Sequence, residues 1–168
     1  MGSNPTPSAK KGKMRKYLYI TGGIFIFFIC FLKLFLQPFI PVLWLKVDEA
    51  FHHGNYERAE NYLRAIIWLQ PKNPHPYILK GWLEWSEAKY LQSVGCPYEE
   101  KLKEAEKTYR IGQKRTPENW QLYFEEGIMW EAFKEKEKSL KAYYSASKYA
   151  KPPYNKIYYY KKRKFEKE

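Results

Sequence analysis

Catalytic and metal-binding residues are scarce in this chain. There are two cysteines and three histidines in 168 residues. No His-Glu-x-x-His, Cys-x-x-Cys, glycine-rich phosphate loop or Gly-x-Ser-x-Gly occurs, so the usual hydrolytic, zinc and nucleotide-binding arrangements are missing. His52 and His53 adjoin a turn and splay about 100° apart on a helix, which does not suit a shared metal. Glu99-Glu100 and Glu125-Glu126 read as solvated helix faces. An enzyme is not expected, and no cofactor is implied. Cys30 lies in an apolar run and Cys96 in a Gly-Cys-Pro loop, so two unpaired thiols are expected rather than a disulfide framework.

Negative charge is also short, but only at the ends. The net charge is +12. Residues 1–16 carry five bases and no acid, and residues 151–168 carry seven bases and two acids. Between Pro41 and Ala150, 17 Lys/Arg stand against 16 Asp/Glu. Nucleic-acid readers place a basic stripe on the folded surface. Two basic tails around a near-neutral middle argue against nucleic acid as the partner.

One long apolar run is present. Tyr17 to Leu36 spans 20 residues, about 30 Å of helix, which matches the hydrocarbon thickness of a bilayer. Lys33, the single charge inside it, sits near one end, where its ammonium can reach the headgroups. No small-residue cleavage site follows the run, so it reads as an uncleaved signal-anchor over residues 17–38, not a cleaved secretory signal. Bases before Tyr17, against a lone Lys46 just after the span, place the N-terminus in the cytoplasm and the rest on the periplasmic or extracytoplasmic side. "MGSNPT" fits the myristoylation pattern, which a spanning helix makes redundant.

Beyond Phe39 the chain repeats itself. "YERAENYLRAIIWLQP" sets Ala59, Leu63, Ile66 and Pro71 at spacings that return as Ala105, Tyr109, Gly112 and Pro117. They return again as Ser139, Tyr143 and Ala146, with Lys151-Pro152 closing. Each copy follows a partner helix, and Gly81 and Gly127 hold a place that Val47 takes in the first. Ala105 to Ser139 is 34 residues; Ala59 to Ala105 is 46, which puts 12 extra residues around "LQSVGCPYEE".

From Phe39 to Pro153 this resembles the tetratricopeptide repeat, a 34-residue helix–turn–helix with a glycine in the first helix and Ala, aromatic and Pro in the second. The resemblance implies an all-α chain: one transmembrane helix, then an α-solenoid of three pairs (residues 40–73, 74–119 and 120–153). A basic, tyrosine-rich segment, 154–168, would cap it, with Ile157, Tyr158 and Phe165 covering Tyr143 and Tyr149 while the lysines stay wet. Ala59 and Ala105 would let each second helix lie close to its first, with Leu63, Tyr109 and Tyr143 filling the gap to the next repeat.

Proteins of this family commonly take a peptide or partner helix in a concave groove lined by first helices. Aligned in that way, the lining here is Trp44, Asp48 and Phe51, then Ile78, Trp82 and Trp85, then Phe124, Ile128 and Glu131. The Lys and Asn clamp of the chaperone-binding members is missing, so an apolar helix or extended segment suits the groove, with Trp82 and Trp85 as anchors. The leading expectation is a membrane-anchored protein–protein scaffold. A permanent subunit of a larger membrane complex, or of a self-assembling filament packed through the anchor, is the alternative. An RNA or lipid-headgroup binder acting through the basic tails is the third.

Overall fold

The computed structural model describes residues 7–167, with side chains described at Tyr19 and from Thr21 onward. The myristoylation pattern and the start of the basic N-terminal tail lie outside the described residues, as do the side chains of the tail's bases. Among the described residues every regular element is helical and no strand occurs. The chain divides into two units, Met1–Ile40 and Pro41–Glu168.

The first unit is α1, Pro7–Leu36, followed by the short 3-10 turn Gln37–Phe39. The helix therefore starts well before the apolar run. It gives way at Pro38, which has no N–H to donate and disfavours helix in the residue before it. Ile24, Phe25, Ile26, Phe27, Phe28, Phe31, Leu34 and Phe35 are exposed around the helix. A helix apolar on all sides suits a lipid environment. The helical run Thr21–His52 is long and apolar enough to cross a membrane, with a mean hydropathy of 2.2 in its most apolar stretch.

The second unit holds three helix pairs. They are α2 (Ile40–His52) with α3 (Tyr56–Leu69), α4 (His75–Ser93) with α5 (Glu99–Arg115), and α6 (Trp120–Ala132) with α7 (Lys136–Tyr149). A second 3-10 turn, Tyr154–Lys156, leads into α8, Ile157–Phe165. The turns follow local chemistry. Gly54 takes φ +70° and Asn55 caps α3 by accepting from the Arg58 N–H at 3.1 Å. Lys134 occupies the matching place in the third pair at φ 62°, a left-handed conformation uncommon outside glycine. Asn119 caps α6 through the Leu122 N–H. The 12 extra residues of the second pair are not confined to a turn. α4 runs six residues longer than α6 and α5 three longer than α7, so much of the insertion is extra helix.

Each apolar cluster spans one pair and the first helix of the next. Val47 and Ala50 of α2 join Ala59, Leu63 and Ile66 of α3 and Leu83 of α4. Tyr77 of α4 joins Ala105 and Tyr109 of α5 and Leu122, Met129 and Trp130 of α6. No pair closes its own core, which is the physical reason the pairs stack.

The aromatic positions do more than expected. Tyr109 joins Leu122 and Met129 of the next pair, and it also lies over Gly81 of its own first helix, where an added Cβ would come within 2.6 Å of the ring. Tyr143 sits over Gly127 in the same way, at 2.7 Å. The glycines are there because a ring occupies the volume a side chain would need. Gly112 serves both contacts, since a Cβ there would meet Tyr77 of its own first helix and Leu122 of the next pair, each at 3.0 Å. Ser139 replaces the small alanine of the third pair and satisfies its hydroxyl on the Gly127 carbonyl at 3.0 Å.

Ala105 is fully buried. Ala105→Leu should therefore cost about 1–3 kcal/mol through overpacking. Urea unfolding of the detergent-solubilised chain, followed by circular dichroism, reads this directly, and an unshifted midpoint would contradict the close crossing.

Candidate partner-binding groove

Trp44, Ile78 and Trp82 line one hollow of about 330 Å³, together with His75, Leu79 and Glu125. α2, α4 and α6 each contribute a wall, so three first helices converge on it. Phe51 stands at its edge, its ring 6.0 Å from that of Trp82. Glu125 is not a solvated face residue: it is half-buried, and burial raises its carboxyl above the ordinary value. Trp82 keeps 36% of its surface exposed and also walls a larger, mixed-polarity hollow of about 1070 Å³. That second space opens where the 53–57 turn faces the C-terminal half of α4, and its lining includes Glu87, Tyr90, Lys101 and Glu104.

The other expected lining residues are elsewhere. Asp48 is exposed and lies outside the hollow, with its backbone carbonyl 2.9 Å from His52 Nδ1. Trp85 is half-buried against the cluster of Tyr77, Tyr109 and Leu122, so its indole belongs with the core. Its Nε1 and the Tyr109 hydroxyl are buried beside each other, without a well-aligned hydrogen bond between them. Phe124 packs against Trp120 and Tyr143, with ring centroids 5.9 and 5.7 Å away. Ile128 is half-buried and outside the hollow.

Glu131 is occupied from within the chain. Lys161 and Lys164 of α8 donate to it at 2.6 and 2.9 Å, and the Tyr143 hydroxyl donates at 2.7 Å. Burial alone would raise this carboxyl, but the three donors outweigh it and hold the pKa at about 2. The expectation that the tail lysines stay wet therefore fails for Lys161, which is half-buried, while Lys164 reaches the carboxylate and stays exposed. Two ammonium groups three residues apart on α8 share one helix face, and that spacing was visible in the sequence. Their acceptor, some 30 residues upstream, was not.

The sign of the resulting pH dependence is fixed. A carboxyl with a lowered folded pKa stabilises above its unfolded value near 4.5, and the stability is lost as pH falls from there toward 2. With Lys164 largely exposed, screening reduces the effect to about 1–2 kcal/mol. Glu131→Gln should remove it at neutral pH and free α8. Amide exchange in residues 157–165 tests this: unchanged protection would show that Phe165 and the tyrosines hold the helix unaided.

A buried polar network is the feature that sequence reading missed. Glu84 of α4 accepts from the Thr108 hydroxyl of α5 at 2.6 Å and from Lys80 one turn before it. Lys80 also donates to Thr108 at 3.3 Å. All three are buried. Glu60 of α3 is buried beside Arg64 at 3.3 Å and Lys101 at 3.9 Å. Cys30 and Cys96 are both free and exposed. Among the described residues no group of His, Cys, Asp and Glu is placed to hold a metal.

Set against family models, curated proteins and solved structures, the chain finds no match in any of the three. The class it defines is accordingly structural: a repeat-like protein, all-helical among the described residues, with one candidate membrane-spanning helix among them, near the N-terminus.

Proposed function

We propose that this is a membrane-anchored scaffold of the tetratricopeptide type, which holds a protein partner by an apolar helix or extended segment. Residues 17–38 tether it in a single pass, with the basic N-terminus in the cytoplasm and the three helix pairs on the opposite side. The observation that carries the reading is the hollow between α2, α4 and α6, walled by Trp44, Ile78, Leu79 and Trp82. A concave apolar site with few polar groups is the usual form of a recognition pocket. His75 and Glu125 give it polar edges. Trp82, partly exposed and placed between two hollows, is the anchor in preference to Trp85, which the core already uses.

Trp82→Ala should lower retention of the partner on native-membrane pull-down by tenfold or more, about 1.4 kcal/mol, with the unfolding midpoint little changed. Retention equal to the parent chain's would remove the hollow as the binding site.

The second reading, a permanent subunit of a membrane complex or filament, is favoured by the exposed apolar residues Val42, Leu45, Tyr90 and Val94. Native mass measurement after mild detergent extraction separates the two. A fixed large assembly supports the subunit, and a monomer that gains and loses partner supports the scaffold.

A further inference from the structure

Only part of the positive charge at the C-terminus is used within the chain. Glu131 takes Lys161 and Lys164. Phe165 is buried and its carbonyl accepts from Lys136, while the Tyr158 N–H donates to Ser147 Oγ at 2.9 Å. These contacts fix which side of α8 faces inward. On the outward side stand Tyr159 and Tyr160, 64% and 65% exposed, with Lys156, Lys162 and Arg163. Among the described residues Lys156 and Arg163 make no ion pair, and Lys162 reaches only Glu166 on its own helix, at 4.0 Å. Glu166 is the one acid between residues 151 and 167.

We propose that this face of α8 rests on anionic lipid headgroups, its tyrosine rings at headgroup level and its free cations on the phosphates. Tyrosine beside Lys and Arg is the combination that interfacial helices use, since the ring has an apolar body and a polar tip. Three cations are a weak patch, too few to hold a polyanion from dilute solution. They become effective when a tether keeps the charged surface close, because the second contact is then intramolecular. The α1 anchor supplies that tether, so this inference rests on the membrane reading above. It also accounts for the ion pairs with Glu131: they lock the rotation of α8 so that the unpaired cations stay outward.

The test uses the full chain in nanodiscs of phosphatidylcholine alone or mixed with phosphatidylglycerol, and reads amide exchange over residues 151–167. Exchange should slow several-fold in the anionic discs. The difference should vanish in about 0.5 M salt, where the Debye length falls to a few ångströms. Replacing Lys156, Lys162 and Arg163 together by Gln should erase the difference, with the unfolding midpoint unmoved because all three are exposed. Equal exchange in the two discs overturns the headgroup contact. So does slowing by a short single-stranded RNA in neutral discs without any effect of anionic lipid, which would assign the patch to nucleic acid. A chain that fails to enter either disc overturns the anchor reading, and this inference with it.

Discussion

Glu84→Ala should destabilise the second unit by about 3–5 kcal/mol, as expected when one partner of a buried pair is removed. Glu84 keeps 1% of its surface exposed and accepts from both Lys80 and Thr108. Truncation leaves a buried ammonium with Thr108 as its remaining partner, and takes away the acceptor of the Thr108 hydroxyl. The double change Lys80→Met, Glu84→Leu behaves differently, because it removes both desolvated charges at once. It should cost clearly less than Glu84→Ala, the remainder being the orphaned Thr108 hydroxyl at about 1–3 kcal/mol. Urea unfolding of the parent, the single and the double variant gives the comparison. A Glu84→Ala cost below about 1 kcal/mol would mean that water reaches the pair.

Tyr109→Ala should cost about 3–5 kcal/mol, because the ring is fully buried over Gly81 and its loss leaves a cavity. Tyr109→Phe should cost less than about 1 kcal/mol, since the hydroxyl is buried beside the Trp85 indole N–H without a well-aligned hydrogen bond. Tyr143→Phe, at the matching place in the third pair, should cost about 1–3 kcal/mol because that hydroxyl donates to the Glu131 carboxylate. The pair of Tyr→Phe variants thus separates two rings that the repeat register treats as equivalent. Equal costs would contradict the placement of the Glu131 contact.

The repeat spacing made the helix pairs legible before any coordinates. Ala59, Ala105 and Ser139 stand at the buried positions their register assigns, and the turns fall at Gly54 and Lys134 as the same register requires. Periodicity reports which face of a helix turns inward. It does not report how deep a side chain goes or what it meets from a distant segment. Trp82 and Trp85 are three residues apart and read alike, yet one edges a hollow while the other packs into the core. Lys80 and Glu84 look like a solvated pair one turn apart, and only the approach of α5 buries them. Gly81 and Gly127 were visible as a repeated small residue. That each glycine makes room for the ring of its own second helix was not visible, because spacing alone does not say that an aromatic can fill its own pair as well as face the next element.

The most direct measurement replaces Trp82 by a photoreactive phenylalanine in native membranes and maps the adducts by mass spectrometry. Arg110, whose side chain is largely exposed on α5, serves as the control position. One discrete protein adduct from position 82, mapping to a single apolar helix or extended segment and absent from position 110, is the expected result. Adducts with lipid alone, or the same set of adducts from both positions, would contradict a groove that holds a partner.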